Sequence, residues 1–395
     1  MELTSGRVPR ELAPNRLARL VLEGRTQGRK IFDLTLTDPG AADVSRPGAS
    51  EALAALADPR ALDYEPDPRG LPSAREAVAR YLGARAGAAP DPGRIFLTAS
   101  TSEAYAHLFR LLCDPGDEVL IPRPSYPLLE PIARLEDVCT HGYRLVYDGA
   151  WRLDPDSLEA SLTPRTRAVV LVEPNNPTGS LLSPEEFALV EGVCRERGLA
   201  LIVDEVFGDI AWPPHPAPFP SRLGGRSVPT FVLGGISKPC GLPQLKLGWI
   251  VADGPEARMA ELLPGLDWIL DLFLSVGTPV QWALPKLLQL RHPYQAALRD
   301  RIEENLGVIE QAGTRHTGAL LPYRGEGGLS AVLRVRLERG GPAAGEELAE
   351  WALRERDVYV HPAHFYELDR DDLVVVSLLT PPGTMAEALD RLVVP

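Results

Sequence analysis

Positive charge is in short supply. The 395-residue chain has 41 Lys and Arg against 54 Asp and Glu, a net charge of −13. Sequence-independent binding of a phosphate backbone needs clustered Lys and Arg, so a nucleic-acid partner is excluded. Cysteine is scarce too: Cys113, Cys139, Cys194 and Cys240 lie far apart and form no CxxC pair. That spacing suits neither zinc nor a disulfide framework, and four reduced, buried or half-buried thiols are expected. No stretch reaches the roughly 18 apolar residues of a membrane span. The opening MELTSGRVPRELAPNRLARL lacks the unbroken apolar segment of a signal peptide, so the expected location is the cytoplasm. There is no internal repeat.

What is present is ordinary globular material: 45% hydrophobic and 24% charged residues exclude disorder and a fibrous architecture. The length predicts two or three structural units. From about residue 74 onward, helical patterns alternate with short Val/Ile/Leu runs: Arg94 to Thr98, Glu118 to Pro122, Ala168 to Val172, Ala200 to Val203, Thr230 to Leu233 and Gly248 to Val251. Such runs are strands buried on both faces, and helical crossovers between them make the sheet mostly parallel. WPPHPAPFP, Trp212 to Pro220, can be neither helix nor central strand and reads as a stiff surface loop. Past residue 290 come a charged helix, Pro293 to Ala312, a segment Leu329 to Leu337, a helix near Gly345 to Arg356 and a strand Leu373 to Leu379. This order predicts a small α+β unit. The expected class is α/β. A large unit over residues 50–290 holds a mostly parallel, seven-stranded-type sheet flanked by helices, and residues 1–49 with 291–395 make the smaller one.

Several pieces carry chemistry. The helix beginning near Ser102 follows a strand and small hydroxyl residues, a geometry that binds an anion at its N-terminus. Pro174 to Gly179 breaks the chain just after another strand, where open α/β sheets bind ligands. Leu201 to Glu205 is an apolar strand ending in carboxylates, and Gly235-Ile236-Ser237-Lys238 follows a further strand. A lone lysine is usually a solvated surface charge, and paired acids at a strand end are usually caps. Only the ordered set lifts these readings above the ordinary.

That set is YEPDPRGLPSAR (Tyr64 to Arg75), TASTSEA (Thr98 to Ala104), PGDEVLIPRPSY (Pro115 to Tyr126), NPTG (Asn176 to Gly179), Asp204-Glu205, Ser237-Lys238 and GLPQLKLGW (Gly241 to Trp249). In this order, over about residues 30–380, the chain resembles the pyridoxal-phosphate-dependent aminotransferases of fold type I. The resemblance implies that Lys238 forms a Schiff base with pyridoxal 5′-phosphate and then shuttles the proton. Asp204 keeps the pyridine nitrogen protonated, Asn176 bonds the ring hydroxyl and Tyr126 stacks on the ring. Thr101, Ser102, Ser237 and Lys246 hold the phosphate. Tyr64 reaches the phosphate of the neighbouring subunit, which implies a homodimer with shared sites. The small-molecule partners implied are an amino donor and an oxo acceptor.

Three positions depart from the family. Phe207 stands where a tyrosine is usual, which predicts a raised pKa for the lysine–cofactor Schiff base. Lys246 replaces an arginine beside the phosphate, keeping the charge but losing the planar fork. Val375 replaces the arginine that clamps a substrate α-carboxylate. Either another group holds the carboxylate, with Arg123, His361 and His364 as candidates, or the substrate lacks one there. Transamination is the leading expectation. The alternatives are β- or γ-elimination or decarboxylation on the same fold, and a ligand-binding relic without catalysis.

Overall fold

The computed structural model describes residues 4–10, 12–337 and 347–393. The eight-stranded sheet at its centre comprises β1 (Ile95–Thr98), β2 (Glu118–Arg123), β3 (Cys139–Tyr147), β4 (Trp151–Leu153), β5 (Thr166–Val172), β6 (Ala200–Asp204), β7 (Thr230–Gly235) and β8 (Gly248–Asp253). Their order across the sheet is β1-β8-β7-β6-β5-β2-β3-β4. Strands β3, β2, β5, β6 and β7 are parallel neighbours; β8 runs against both β7 and β1, and β4 against β3. The expected seven strands are therefore present, with the three-residue β4 added at one edge.

Each central strand is apolar throughout because both its faces are covered. Val169, Leu171, Leu201 and Val203 pack in one apolar layer, while Val170, Val172, Ala200 and Ile202 pack in the other. The sequence runs miss β3, the longest strand. CTHGYRLVY is interrupted by Thr140, His141 and Arg144, and most of it is exposed or half-exposed near the sheet edge, so it lacks the signature of a two-sided core strand.

A second, four-stranded antiparallel sheet contains β9 (Leu320–Pro322), β10 (Ser330–Val335), β11 (His361–Pro362) and β12 (Leu373–Ser377), in the order β9-β10-β12-β11. The charged helix runs over Arg291–Arg315, longer at both ends than the pattern predicts, and Leu348–Arg356 is helical. Gly345 lies outside the described residues. The apolar cluster behind this sheet draws on Leu17, Phe32 and Leu34 as well as Leu298, Ile302, Val374 and Val376. The N-terminal segment is tied to β12, whose Ser377 donates its backbone N–H to Leu34 O at 2.6 Å and its hydroxyl to Leu36 O.

The proline-rich loop is anchored rather than purely superficial. Trp212 and Phe219 are buried, and the Trp212 indole N–H donates to Gly328 O at 2.8 Å. Of the cysteines, Cys194 and Cys240 are buried and Cys113 half-buried, but Cys139 is exposed, against expectation, because it opens β3, which β4 covers only at residues 145–147. None is in a disulfide. Among the described residues, no helix is long and apolar enough to cross a membrane.

Candidate functional site

The carboxyl ends of β1, β5, β6 and β7 converge with the end of β12 on one cavity of about 460 Å³. It lies where open α/β sheets place their ligands, and its size suits a small organic molecule. Thr101, Ser102, Tyr126, Asn176, Asp204, Ser237, Lys238 and Lys246 all line it. Two of the chain's four lysines are thus in one cavity, a scarcity that could have singled them out. Tyr64 is not there: it is 82% exposed and lines a separate depression with Leu274 and Gln281.

The anion end is built by β1 and the helix after it. That helix opens at Thr101, one residue before the expected Ser102 start, because Ser100 caps it by accepting from Glu103 N at 3.1 Å. Among the described residues, the N–H groups of Thr101 and Ser102 have no partner, as for the first turn of any helix. They face a cavity that also receives Ser237 and Lys246. Gly235 and Gly248 also line it and must stay bare: a Cβ on Gly248 would meet Gly234 O at 3.0 Å, and one on Gly235 would meet Leu247 O at 3.0 Å.

At the end of β6, strand alternation separates Asp204 from Glu205. Asp204 turns into the cavity, accepting from Tyr105 Oη at 3.1 Å and from Val206 N at 2.9 Å. Burial pushes its carboxyl up to about 6, and these two hydrogen bonds only partly offset that. Glu205 turns to the other face, where Arg85 Nη2 donates to it at 2.8 Å and Ser221 at 3.0 Å. Asn175 and Asn176 are likewise sorted. Asn175 ties down the loop through Pro124 O and Thr178 Oγ1, while Asn176 lines the cavity with its buried carboxamide oxygen unpartnered.

Lys238 is partly accessible from the cleft, but its ammonium is enclosed by protein. Burial holds its pKa below the ordinary lysine range, and attraction from Asp38 offsets only part of this. Its Nζ lies 5.7 Å from the centroid of the buried Phe207 ring. Such desolvation favours the neutral amine, the form a nucleophile or proton carrier needs.

The substrate-side candidates divide cleanly. Arg123 points away from the cavity and pairs with Glu367 at 2.7 Å. His364 is mostly exposed and pairs with Glu347 at 2.7 Å. His361 lines the cavity. Val375 is buried in the apolar layer and does not line it. The sequence reading missed Tyr105, Tyr366, Ser330 and the N-terminal pair Leu36 and Thr37, all of which line the cavity. Tyr105 was hidden as one more aromatic on a buried helix face; the others come from elements whose docking no local pattern shows.

The site is therefore one cavity that receives an open helix start, a buried acid and a desolvated lysine. Comparison with known proteins gives matching results. The pattern described as aminotransferase class I and II matches residues 41–392. Nicotianamine aminotransferase 1 from Oryza sativa subsp. japonica is 29% identical over 78% of this chain and 63% of its own length. The chain spans less than two thirds of the length of such curated relatives. The alanine aminotransferase structure from Pyrococcus furiosus superposes with a TM-score of 0.82 at 23% identity, covering 98% of each chain. The N-succinyldiaminopimelate aminotransferase structure from Mycobacterium tuberculosis gives 0.80 at 26% identity, covering 98% of this chain and 99% of that one.

Proposed function

Since the chain belongs to the class I and II aminotransferase family, we propose that it moves an amino group between an amino donor and an oxo acid, using pyridoxal 5′-phosphate held at Lys238. Members of this family use that cofactor, and the cleft fits it. The unpartnered Asn176 oxygen and the open helix start are features a ring hydroxyl and a phosphate would satisfy. When bound, the group supplies an aldehyde carbon for the amine and a ring that takes up electrons from the neighbouring carbon.

The chain's own residues supply the rest. Lys238 holds the aldehyde carbon and then carries the proton to and from the reacting carbon. Asp204 keeps the ring nitrogen protonated, which suits a carboxylate that lacks a cationic partner of its own. Asn176 bonds the ring hydroxyl and Tyr126 covers the ring. Thr101, Ser102 and Ser237 donate to the phosphate, and Lys246 adds charge. The observation that carries this reading is the entry of Lys238 and the buried Asp204 into one cavity from the ends of neighbouring strands β7 and β6.

The same reading assigns residues 50–290 to the large unit and 1–49 with 291–395 to the small one. It also makes the protein a homodimer in which Tyr64 serves the neighbour's phosphate. Tyr64 at 82% and Trp268 at 65% exposure are large apolar groups left uncovered by this chain. Sedimentation of the purified protein should give twice the chain mass. The deciding experiment is a spectral screen of donors against the holoprotein: conversion of the cofactor's yellow band to its amine form supports amino transfer. Release of ammonia with the band unchanged would point to elimination instead.

Phe207 adds a further expectation. No phenol stands beside the cofactor's ring oxygen at this position, so the yellow band should change with pH at a higher value than in a Phe207→Tyr variant. A spectral titration of both proteins measures this, and equal midpoints would refute it.

A further inference from the structure

Strand register puts His361 at the place where a carboxylate clamp is missing. On β12, Val375 stands opposite Val332 of β10 on one side and opposite His361 of β11 on the other. Cross-strand partners project from the same face of a sheet. The next pair along, Ser330 and Ser377, opens into the cavity together with His361, whereas Val375 does not reach it. Among the described lining residues there is no guanidinium. The cations are Lys238 and Lys246, and the amino-transfer reading commits both to the cofactor.

His361 does not act alone. Its Nδ1 lies 2.9 Å from the hydroxyl of Tyr366, which also lines the cavity, and Nε2 has no partner among the described residues. Burial lowers the imidazole's pKa, against some attraction from Asp33, and pushes the Tyr366 phenol up to about 12. The pair is therefore neutral near pH 7. If the phenol donates to Nδ1, Nε2–H is a free donor. If Nδ1–H donates to the phenol oxygen, Nε2 is a free acceptor and the phenol proton is free to donate. A carboxamide or hydroxymethyl group can satisfy either arrangement. A carboxylate only accepts, brings a charge that nothing neutralises, and loses its hydration on entering.

We propose that His361 and Tyr366 form the specificity-determining wall of the site: they hold the substituent beside the reacting carbon through uncharged hydrogen bonds. The preferred donors are amines whose substituent there is an uncharged polar group, and an α-carboxylate is tolerated at higher KM. This rests on the amino-transfer reading.

The test uses the holoenzyme with alanine, phenylalanine and lysine, each supplied as amino acid, amino amide and amino alcohol, and follows conversion of the yellow band. A parallel titration uses 2-aminoisobutyrate and 2-aminoisobutyramide, which lack the hydrogen on the reacting carbon, so that the band shift reports binding alone. The wild type should favour the amide over the carboxylate about tenfold or more in both assays. His361→Phe should bring the ratio near one through KM rather than kcat, His361→Gln should retain part of it, and His361→Arg should invert it. A wild-type ratio below one, or one unchanged in His361→Phe, overturns the proposal. If no donor converts the band but the binding ratio behaves as stated, the amino-transfer reading fails and the wall stands.

Discussion

Lys238→Ala should leave a folded protein in which borohydride no longer fixes the cofactor and amino transfer falls by at least about 10⁴-fold. Both effects have one origin. On the amino-transfer reading the same amine would hold the aldehyde carbon and move the proton at the reacting carbon, so its loss would remove two functions at once. Losses through misfolding are separable by thermal melts. Lys238 is held below its ordinary pKa by burial, so its charged form is penalised in the fold. The apo variant should therefore melt no lower than apo wild type near pH 7. Cofactor still fixed covalently to Lys238→Ala by borohydride would move the attachment point elsewhere.

Asp204→Asn should produce opposite effects in the two states of the protein. On the amino-transfer reading it would remove from the holoenzyme the carboxylate that pairs with the protonated ring nitrogen. Breaking a buried charged pair costs about 3–5 kcal/mol, so kcat should fall by roughly 10²- to 10³-fold or more. In the apo protein the carboxylate is desolvated without a cation, its pKa raised from 3.8 to about 6. The sign follows from linkage. Between these values the folded state binds more protons than the unfolded one, so rising pH removes stability across that window, by up to about 3 kcal/mol once above 6. Apo Asp204→Asn is spared this loss. It should match or exceed apo wild type in stability at pH 7, with the gap closing toward pH 4. Parallel melts of the two apo proteins across pH 4–8 check this, and a gap that widens toward low pH would contradict it.

These results would also test how far a linear reading can go. The sequence by itself determined the fold class and picked out eight residues that the fold brings into one cavity. Six of the eight sheet strands are two-sided apolar runs, and the site residues sit at strand ends and a helix start, where local chemistry is visible in a few consecutive residues. Its separation of Asp204 from Glu205 and of Asn176 from Asn175 came by resemblance, and the fold supplies the physical reason: strand alternation in one case and a loop tie to Pro124 in the other. Strand β3, next to the sheet edge, escaped because a half-solvated strand carries no continuous apolar run.

The substrate half was decided by tertiary structure alone. Arg123, His361 and His364 were equivalent candidates in the chain. Packing turned Arg123 to Glu367 and His364 to Glu347, and register set His361 beside Val375 at the cavity wall. Cross-strand register joins His361 to Val375, and the docking of Leu34 and Leu36 onto β12 joins segments more than 300 positions apart. No periodicity within either segment encodes which cavity the two will share.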